Sequence, residues 1–464
     1  MPTIWWIRRD LRLTDNGALH AALQEGEVIP LFILDPHLLA HSAPKRLNFL
    51  FGGLQALDES LRQRGAALIL RRGEPLTVLR QMLAESGAVH VYAEEDYTPY
   101  ARRRDEKIRA EIPLHLIAWQ TVHHPARVRK PDGKPYTVYT PYAKAWKANL
   151  VDLKLLPAPE RIILPPGLSS EPLPPFQPEA HFPPSEQEAQ LRLEEFTRSA
   201  SVPSLRRGWG GIFTYAEQRN RMDLDGTSQL SPYLRFGMLG MRQAVFAAVQ
   251  AMRTSPPGMS KSAETWLNEL IWREFYIQIL YHFPYVRREA FNRAFANLPW
   301  QNDEAAFQSW KEGLTGMPIV DAAMRQLRQM GWMHNRARMI VASYLVKDML
   351  IDWRWGEAWF MENLIDGDLA ANNGGWQWTA GTGTDAAPYF RIFNPVLQSR
   401  KFDPYGAYIR RWVPELRHLD DDAIHAPWLK GVRVAGYPSQ PVVLPDKART
   451  LAVYRSGRTG QQRS

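Results

Sequence analysis

The sequence predicts an α/β domain built on a doubly wound parallel sheet, then an all-α domain, with a long proline-rich connector between them. Three observations carry this. The first 120 or so residues alternate short, continuous apolar runs with stretches of helical periodicity, the pattern of parallel strands covered on both faces. Residues 157–184 contain 10 prolines in 28 positions; proline removes a backbone donor and restricts its neighbour, so no regular element forms there. Beyond about residue 186 helical periodicity dominates and strand patterns are scarce. At 464 residues the chain is too long for one core, which agrees with a domain boundary in the connector.

Taken in order, the buried strands are 3–8 (TIWWIR), 28–34 (VIPLFIL), 67–71 (ALILR), 90–94 (HVYAE) and 114–118 (LHLIA), with helices at 46–64 and 76–86 between them. They make a Rossmann-like domain over 1–126. The connector spans 127–190 and is expected to lie on the surface. The helical domain covers 191–464, with its clearest helices at 264–281, 320–330, 335–350 and 355–364. Residues 453–464 are polar and read as a disordered tail. No internal repeat is present.

Composition excludes several classes. With 45% hydrophobic and 23% charged residues the chain is not disordered throughout. No run of about 20 apolar residues exists; the longest candidate, 339–351, is broken by Lys347 and Asp348. The N-terminus carries its arginines after the apolar run, unlike a signal peptide. The absence of cysteine excludes disulfides, a thiol nucleophile, Cys-ligated zinc and iron–sulfur clusters, and a cytoplasmic location is expected. The net charge of +9 suits a polyanionic partner such as nucleic acid, a weak signal by itself. Of 17 tryptophans, 10 fall between Trp266 and Trp378: a large aromatic core, and also a place where an aromatic cofactor or base can sit.

Common catalytic signatures are missing. There is no P-loop, no HExxH and no G-x-S-x-G, and the 12 histidines are scattered, so no metal site is expected. GTGT at 381–384 follows no predicted strand and is not a dinucleotide fingerprint.

Five segments do carry a signal: WWIRRDLRLTDNGAL (5–19), GTSQLSPYLRFG (226–237), WLNELIWREFY (266–276), GWMHNRARM (331–339) and LIDGDLAANNGGWQWTAGTGTDAAPYFRIFNP (364–395). Together, and in this order over nearly the whole chain, they resemble the photolyase–cryptochrome family, most of all its class I cyclobutane pyrimidine dimer photolyases. The resemblance implies an α/β antenna domain, a connector, a helical FAD-binding domain, and light-driven repair of UV-damaged DNA by a monomer.

Each segment also has a physical reading. Hydroxyls on Thr227, Ser228 and Ser231 just before a helical segment suit a diphosphate, or simply cap a helix. The resemblance assigns Thr227, Ser228, Gln229, Leu230 and Ser231 to the FAD phosphates, with Tyr215 upstream. Trp266, Glu269 and Arg273 share a helix face at i, i+3 and i+7, with Trp272 beside Glu269. A Glu–Arg pair at i, i+4 is ordinarily a solvated ion pair; the resemblance instead turns Trp266 and Arg273 to the flavin, Glu269 to the dimer bases, and stacks Trp272 on them. Asn335 and Met339 share a face at i, i+4, and an Asn at a helix start is most often a cap. The resemblance places Asn335 at flavin N5, pairs Arg338 with Asp366, sets Asp366 at the flavin's polar edge and Asp368 at its ribose, and completes that wall with Gly367 and Asn372. Spacing alone makes the two aspartates a loop or a cap.

A dimer inside a duplex has to be flipped out. Trp272 and Trp378 are the implied pocket walls, with Met339 at the base, and Arg219, Arg336, Arg391, Gln398 and Lys401 are the implied grips on phosphate. Individually each of these is an ordinary surface group. The implied mechanism is electron transfer from excited, fully reduced FAD (FADH⁻) to the dimer and back, which needs no general base or nucleophile. Trp376, Trp353 and Trp300 match the family's electron-carrying tryptophan chain; otherwise they are three core indoles.

The antenna pattern is mixed. Ala101 and Val286–Arg287 depart from the folate-binding pattern, and EEDYTPYARRRD (94–105) is nearer the deazaflavin-binding members, apart from Thr98 and Ala101. On that reading Arg46, Asp96, Arg104 and Arg235 bind 8-hydroxy-5-deazaflavin, with methenyltetrahydrofolate or FMN as alternatives. Two rival functions remain open: a cryptochrome-like blue-light photoreceptor and a (6-4) photolyase.

Overall fold

The computed structural model describes residues 1–198, 211–255, 258–388 and 390–459. All five expected strands form: β1 (Thr3–Ile7), β2 (Val28–Leu34), β3 (Ile69–Arg72), β4 (His90–Glu94) and β5 (Leu114–Ile117). They make one parallel sheet in the order β3-β2-β1-β4-β5, with Thr3 in register with Val28 on one side and His90 on the other. The strand order reverses at β1, as in a doubly wound fold. β1 and β2 are buried at every residue, which is why they read as unbroken apolar runs. Ile4, Trp6, Ile29, Leu31 and Val91 pack with Leu79 and Met82 of the helix Pro75–Ser86.

No helix or strand forms between Ala148 and Glu186, as the prolines dictate. The connector is nevertheless more than a surface strap. It follows the outer edge of the sheet: Leu70 N donates to Ser170 Oγ (2.9 Å), Glu171 N to Leu70 O (3.0 Å) and Val28 N to Ile163 O (2.9 Å). Backbone groups that an edge strand leaves open are thereby paired, and Ile162 and Phe182 are buried. The helix Tyr139–Ala148, unforeseen in the sequence, opens this region.

The chain folds as two compact units. The first comprises Met1–Pro203, Gly211–Phe213 and Ser228–His282; the second Ser204–Gly210, Thr214–Thr227 and Phe283–Ser464. This division differs from the limits 1–126, 127–190 and 191–464. The helix Ser260–His282 belongs with the sheet because its buried Glu274 accepts hydrogen bonds from Trp146 Nε1 (2.7 Å), Val122 N (2.5 Å) and His123 N (3.4 Å).

The second unit is helical around a core that includes Val320, Leu327, Ile340, Leu345, Trp353 and Trp376. The continuous helix expected at 335–350 is corrected. An α-helix, Asn335–Ser343, passes into a π-turn, Tyr344–Asp348, and Leu350 has φ +55°. Burial is unbroken from Ile340 to Ile351, so the apolar pattern could not mark the change. The expected disordered tail is also corrected. Residues 453–459 lie in the helix Lys447–Thr459, where buried Tyr454 donates to Ala380 O (2.7 Å) and lies 3.8 Å from Lys347 Nζ; 460–464 fall outside the described residues. GTGT at 381–384 follows the helix Leu369–Ala380. Among the described residues no helix is long and apolar enough to cross a membrane.

Candidate flavin and nucleic-acid sites

In the first unit the opening segment and the segment ending at Gly237 meet. Leu11 N donates to Phe236 O (3.1 Å) and Arg12 Nη1 to Gly237 O (3.1 Å). Gly237 has φ +66°, and a Cβ there would lie 1.9 Å from Arg9 O, so glycine is required on two counts. Buried Arg12 also donates to Asp15 O (2.9 Å) and Glu94 Oε1 (2.8 Å). Upstream, Ser231 opens the short helix Ser231–Phe236, whose cap position is Leu230 and which has no side-chain cap hydrogen bond. The cap position itself thus falls on an apolar residue rather than on one of these hydroxyls. Gln229 has φ +51° and accepts from His181 Nε2 (2.8 Å).

On the helix Ser260–His282, Trp266 is buried against Phe196 (5.1 Å between centroids), and Arg273 Nη2 donates to Leu234 O (3.4 Å). Glu269 and Trp272 are half-buried. The Trp272 indole lies flat on the Tyr139 ring, at 3.7 Å and 3°.

Among the antenna candidates, Arg104 Nε donates to Asp105 Oδ1 (2.8 Å) while its guanidinium lies 4.7 Å from the Trp6 ring. Asp96 accepts from Thr98 N (2.9 Å). Burial pushes its carboxyl up, but Arg9, Arg8 and Arg104, with that hydrogen bond, outweigh it and hold the group below the ordinary range. Arg9 Nε reaches Arg235 O (3.2 Å). Asp96, Arg104 and Arg235 thus lie around one arginine cluster, whereas Arg46 is buried on the helix Pro44–Arg62.

In the second unit the 331–339 and 364–395 segments are tied together. Ile365 N donates to Gly331 O (2.8 Å), and Arg338 Nη2 to Asp366 Oδ2 (2.7 Å), the pair the resemblance implied. The other oxygen, Asp366 Oδ1, is buried with no hydrogen-bond partner. Asp368 caps the helix Leu369–Ala380, accepting from Ala370 N and Ala371 N (both 3.1 Å), and Asn372 Nδ2 donates to Glu357 O (3.0 Å). Tyr215 is buried, with the Arg219 guanidinium 5.4 Å from its ring. Gly226 packs so closely on Gln218 that a Cβ would sit at 2.7 Å, which fixes the approach to Thr227. Asn335 is exposed, while Met339 and Trp378 are half-buried. Trp376 and Trp353 are 2% and 1% exposed and belong to one core, with half-buried Trp300 packed against it.

The implied phosphate grips also converge. Arg336 Nη2 donates to Asn220 Oδ1 (2.7 Å), and its guanidinium lies 4.4 Å from the ring of Phe402. Phe402 ends the helix Pro395–Phe402, which carries Gln398 and Lys401. Burial, then the like charges of Arg219 and Arg391, push Arg336 down to about 10. Gln398 Oε1 is buried without a partner. Next to Arg336, His334 Nδ1 accepts from Arg336 N (3.1 Å) and its Nε2 has no partner. Burial, then Arg336, Arg338 and Arg219, drive this imidazole down to about 3, so it is neutral. Sequence reasoning missed Tyr139, Asn220, His334 and Phe402; only His334 lay inside a quoted segment.

A fit to FAD rests on Asp366. A buried carboxylate oxygen left without a donor is costly, and a flavin's N–H group satisfies it. The comparisons agree. The family model described as DNA photolyase matches residues 3–160, and that described as FAD binding domain of DNA photolyase matches 266–458. The deoxyribodipyrimidine photo-lyase of Synechococcus sp. is 43% identical over 95% of this chain and 93% of its own. Among solved structures, a class III photolyase from Agrobacterium tumefaciens superimposes with TM-score 0.88 at 36% identity, covering 99% of this chain and 98% of its own. The Synechocystis sp. cryptochrome gives TM-score 0.86 at 30% identity over 98% and 99%. The chain belongs to the DNA photolyase family.

Proposed function

We propose that this chain repairs cyclobutane pyrimidine dimers in DNA under blue light. The observation that carries the DNA reading is the gathering of Arg219, Arg336 and Arg391 in the second unit. Burial first, and then the like charges of Arg219 and Arg391, lower the Arg336 pKa, and a polyanion offsets the part that is repulsion by supplying the opposite charge. The identity to deoxyribodipyrimidine photo-lyases favours the cyclobutane lesion.

FAD is the proposed cofactor, held by Tyr215, Thr227, Ser228, Gln229, Leu230, Ser231, Trp266, Arg273, Asn335, Arg338, Asp366, Gly367, Asp368 and Asn372. When bound and fully reduced, it supplies an electron donor that light switches on. The protein's own contribution is placement. Arg338 fixes the Asp366 carboxylate through Oδ2 and leaves Oδ1 as a buried acceptor for a ligand N–H, and Asp368 is immobilised as a helix cap. Photolyases are among the enzymes that extrude their target from the duplex; Glu269, Asn335, Met339, Trp272 and Trp378 are the proposed lesion contacts, the last two by stacking. Trp376, Trp353 and Trp300 are the proposed path for electrons reaching oxidised flavin. A deazaflavin antenna at Asp96 and Arg104 is the reading that their arginine surroundings favour.

The test is a light–dark assay. Reduced protein is mixed with an oligonucleotide carrying one thymine cyclobutane dimer, and the return of thymine absorbance is followed. Recovery in blue light with none in darkness is expected. No recovery with reduced FAD present would move the assignment to a photoreceptor or to a (6-4) lesion.

A further inference from the structure

We infer that Tyr139 is a positioning residue for Trp272, holding the indole in the one orientation in which it stacks on a flipped pyrimidine. The inference rests on the assignment of Trp272 to the lesion. Tyr139 is the first residue of the helix Tyr139–Ala148. Its ring covers one face of the indole at 3.7 Å between centroids and 3° between planes. A direct face-to-face pair is not what ring quadrupoles favour on their own, so something else sets the geometry. Two contacts do. The Tyr139 hydroxyl donates to Asn268 O (2.8 Å), pinning the phenol to the backbone one turn before Trp272. Phe275, fully buried, presents an edge to both rings, at 5.5 Å and 88° to Trp272 and at 5.9 Å and 86° to Tyr139.

The consequence is a half-buried indole with one face closed by a phenol that is itself anchored. An unsupported tryptophan loses side-chain freedom when a base stacks on it; one already clamped does not. Immobilising such a side chain costs about 0.5–1.5 kcal/mol, equivalent to about 2- to 12-fold in affinity. With Tyr139 covering one face, a flipped base can stack only on the opposite one; the Tyr276 ring, 5.5 Å from the indole and inclined at 32°, is a third aromatic neighbour.

Four variants test this: Tyr139→Leu, Tyr139→Phe, Trp272→Ala and the double variant Tyr139→Leu/Trp272→Ala. Each is checked for FAD content, then measured in darkness for Kd on duplexes with and without a single dimer, and in light for KM and kcat. Tyr139→Leu should weaken dimer binding about 2- to 12-fold, leave undamaged duplex unaffected, and raise KM without lowering kcat. Tyr139→Phe keeps the stacked ring and should recover most of the affinity. In the Trp272→Ala background Tyr139→Leu should add nothing. The inference is overturned if Trp272→Ala loses dimer affinity while Tyr139→Leu does not, or if Tyr139→Leu weakens undamaged duplex equally, or if its effect persists without Trp272. Unchanged dimer affinity in Trp272→Ala is a separate result: it removes the lesion assignment itself. Tyr139→His retains a smaller planar ring and should give an intermediate loss; it serves where the leucine variant does not fold.

Discussion

In the first unit, Glu94 is buried against Arg12 at 2.8 Å, Asp105 takes Arg8 on one oxygen and Arg104 on the other, and Glu274 is filled by an indole and two backbone amides. In the second unit, Asp366 has one oxygen on Arg338 and the other on nothing. A buried carboxylate whose oxygens are paired makes the fold costly to disturb, because removing a partner leaves it stranded. One left half-satisfied within a motif is a place where the fold accepts a cost that a ligand removes. Within the quoted segments the difference sets Asp366 apart from the paired carboxylates, although it too has less than one-tenth of its surface exposed; Asp348, with neither oxygen hydrogen-bonded, lies outside those segments in the π-turn.

The strongest test of the closed kind is Arg12→Met. It leaves Glu94 buried without its cation, and breaking such a pair costs about 3–5 kcal/mol. The midpoint of chemical unfolding should fall accordingly, with loss of FAD only as a consequence of unfolding. Asp366→Ala should behave in the opposite way. A hydrogen bond to a charged group is worth about 1.5–3 kcal/mol, so FAD binding should weaken about 10- to 150-fold, read as the flavin-to-protein absorbance ratio after dialysis. The unfolding midpoint of the flavin-free protein should fall far less than in Arg12→Met, because the partner left behind, Arg338, is about one-quarter exposed and can be solvated. Equal destabilisation by the two variants would remove the distinction between the units.

The same contrast explains what the sequence made legible. All five strands appear within two residues of their expected limits because β1 and β2 are buried at every position and almost wholly apolar, and the helices between strands are amphipathic. That alternation indicated a parallel, doubly wound sheet; the order β3-β2-β1-β4-β5 comes from the structure. In the second unit periodicity marked the helices Pro318–Met330 and Trp353–Asn363 to within two residues, but it missed one break. The π-turn at Tyr344–Asp348 lies inside an unbroken buried run, where periodicity carries no information about a one-residue widening. Asp366 and Asp368 were readable as loop or cap, and the structure makes only Asp368 the cap. Tyr139, Asn220 and Phe402 were illegible because each acts through a partner distant in sequence: Tyr139 on Trp272, Asn220 and Phe402 on Arg336.

His334 sharpens the comparison through pH. Its folded-state pKa, about 3, lies below the ordinary histidine value near 6.5 because of burial and then Arg336, Arg338 and Arg219, against which Asp223 is a smaller opposing influence. Between those two values the unfolded chain holds a proton that the folded chain does not. Stability is therefore lost as pH falls from about 6.5 towards 3, with a slope approaching about 1.4 kcal/mol per pH unit from this group. His334→Asn, which retains a helix-capping acceptor, should flatten the acid limb by that amount in denaturation midpoints measured at pH 4, 5, 6 and 7. An unchanged limb would mean that the imidazole is protonated in place.

The smallest expected effect belongs to Arg336, and it separates phosphate contact from lesion recognition. Arg336 donates to the Asn220 amide oxygen and lies over the Phe402 ring, and neither is an anion, so its removal should leave the fold intact. If it grips phosphate, Arg336→Ala weakens damaged and undamaged duplex by the same factor. It also reduces the slope of log K against log salt by about 1, because one fewer counterion is released on binding. If instead it touches the lesion, the loss falls on the dimer-containing duplex alone and the salt slope is unchanged. Filter binding at four salt concentrations distinguishes the two. The phosphate outcome is expected because, after burial, the like charges of Arg219 and Arg391 depress the Arg336 pKa, and a phosphate relieves that repulsion whatever bases lie beneath it.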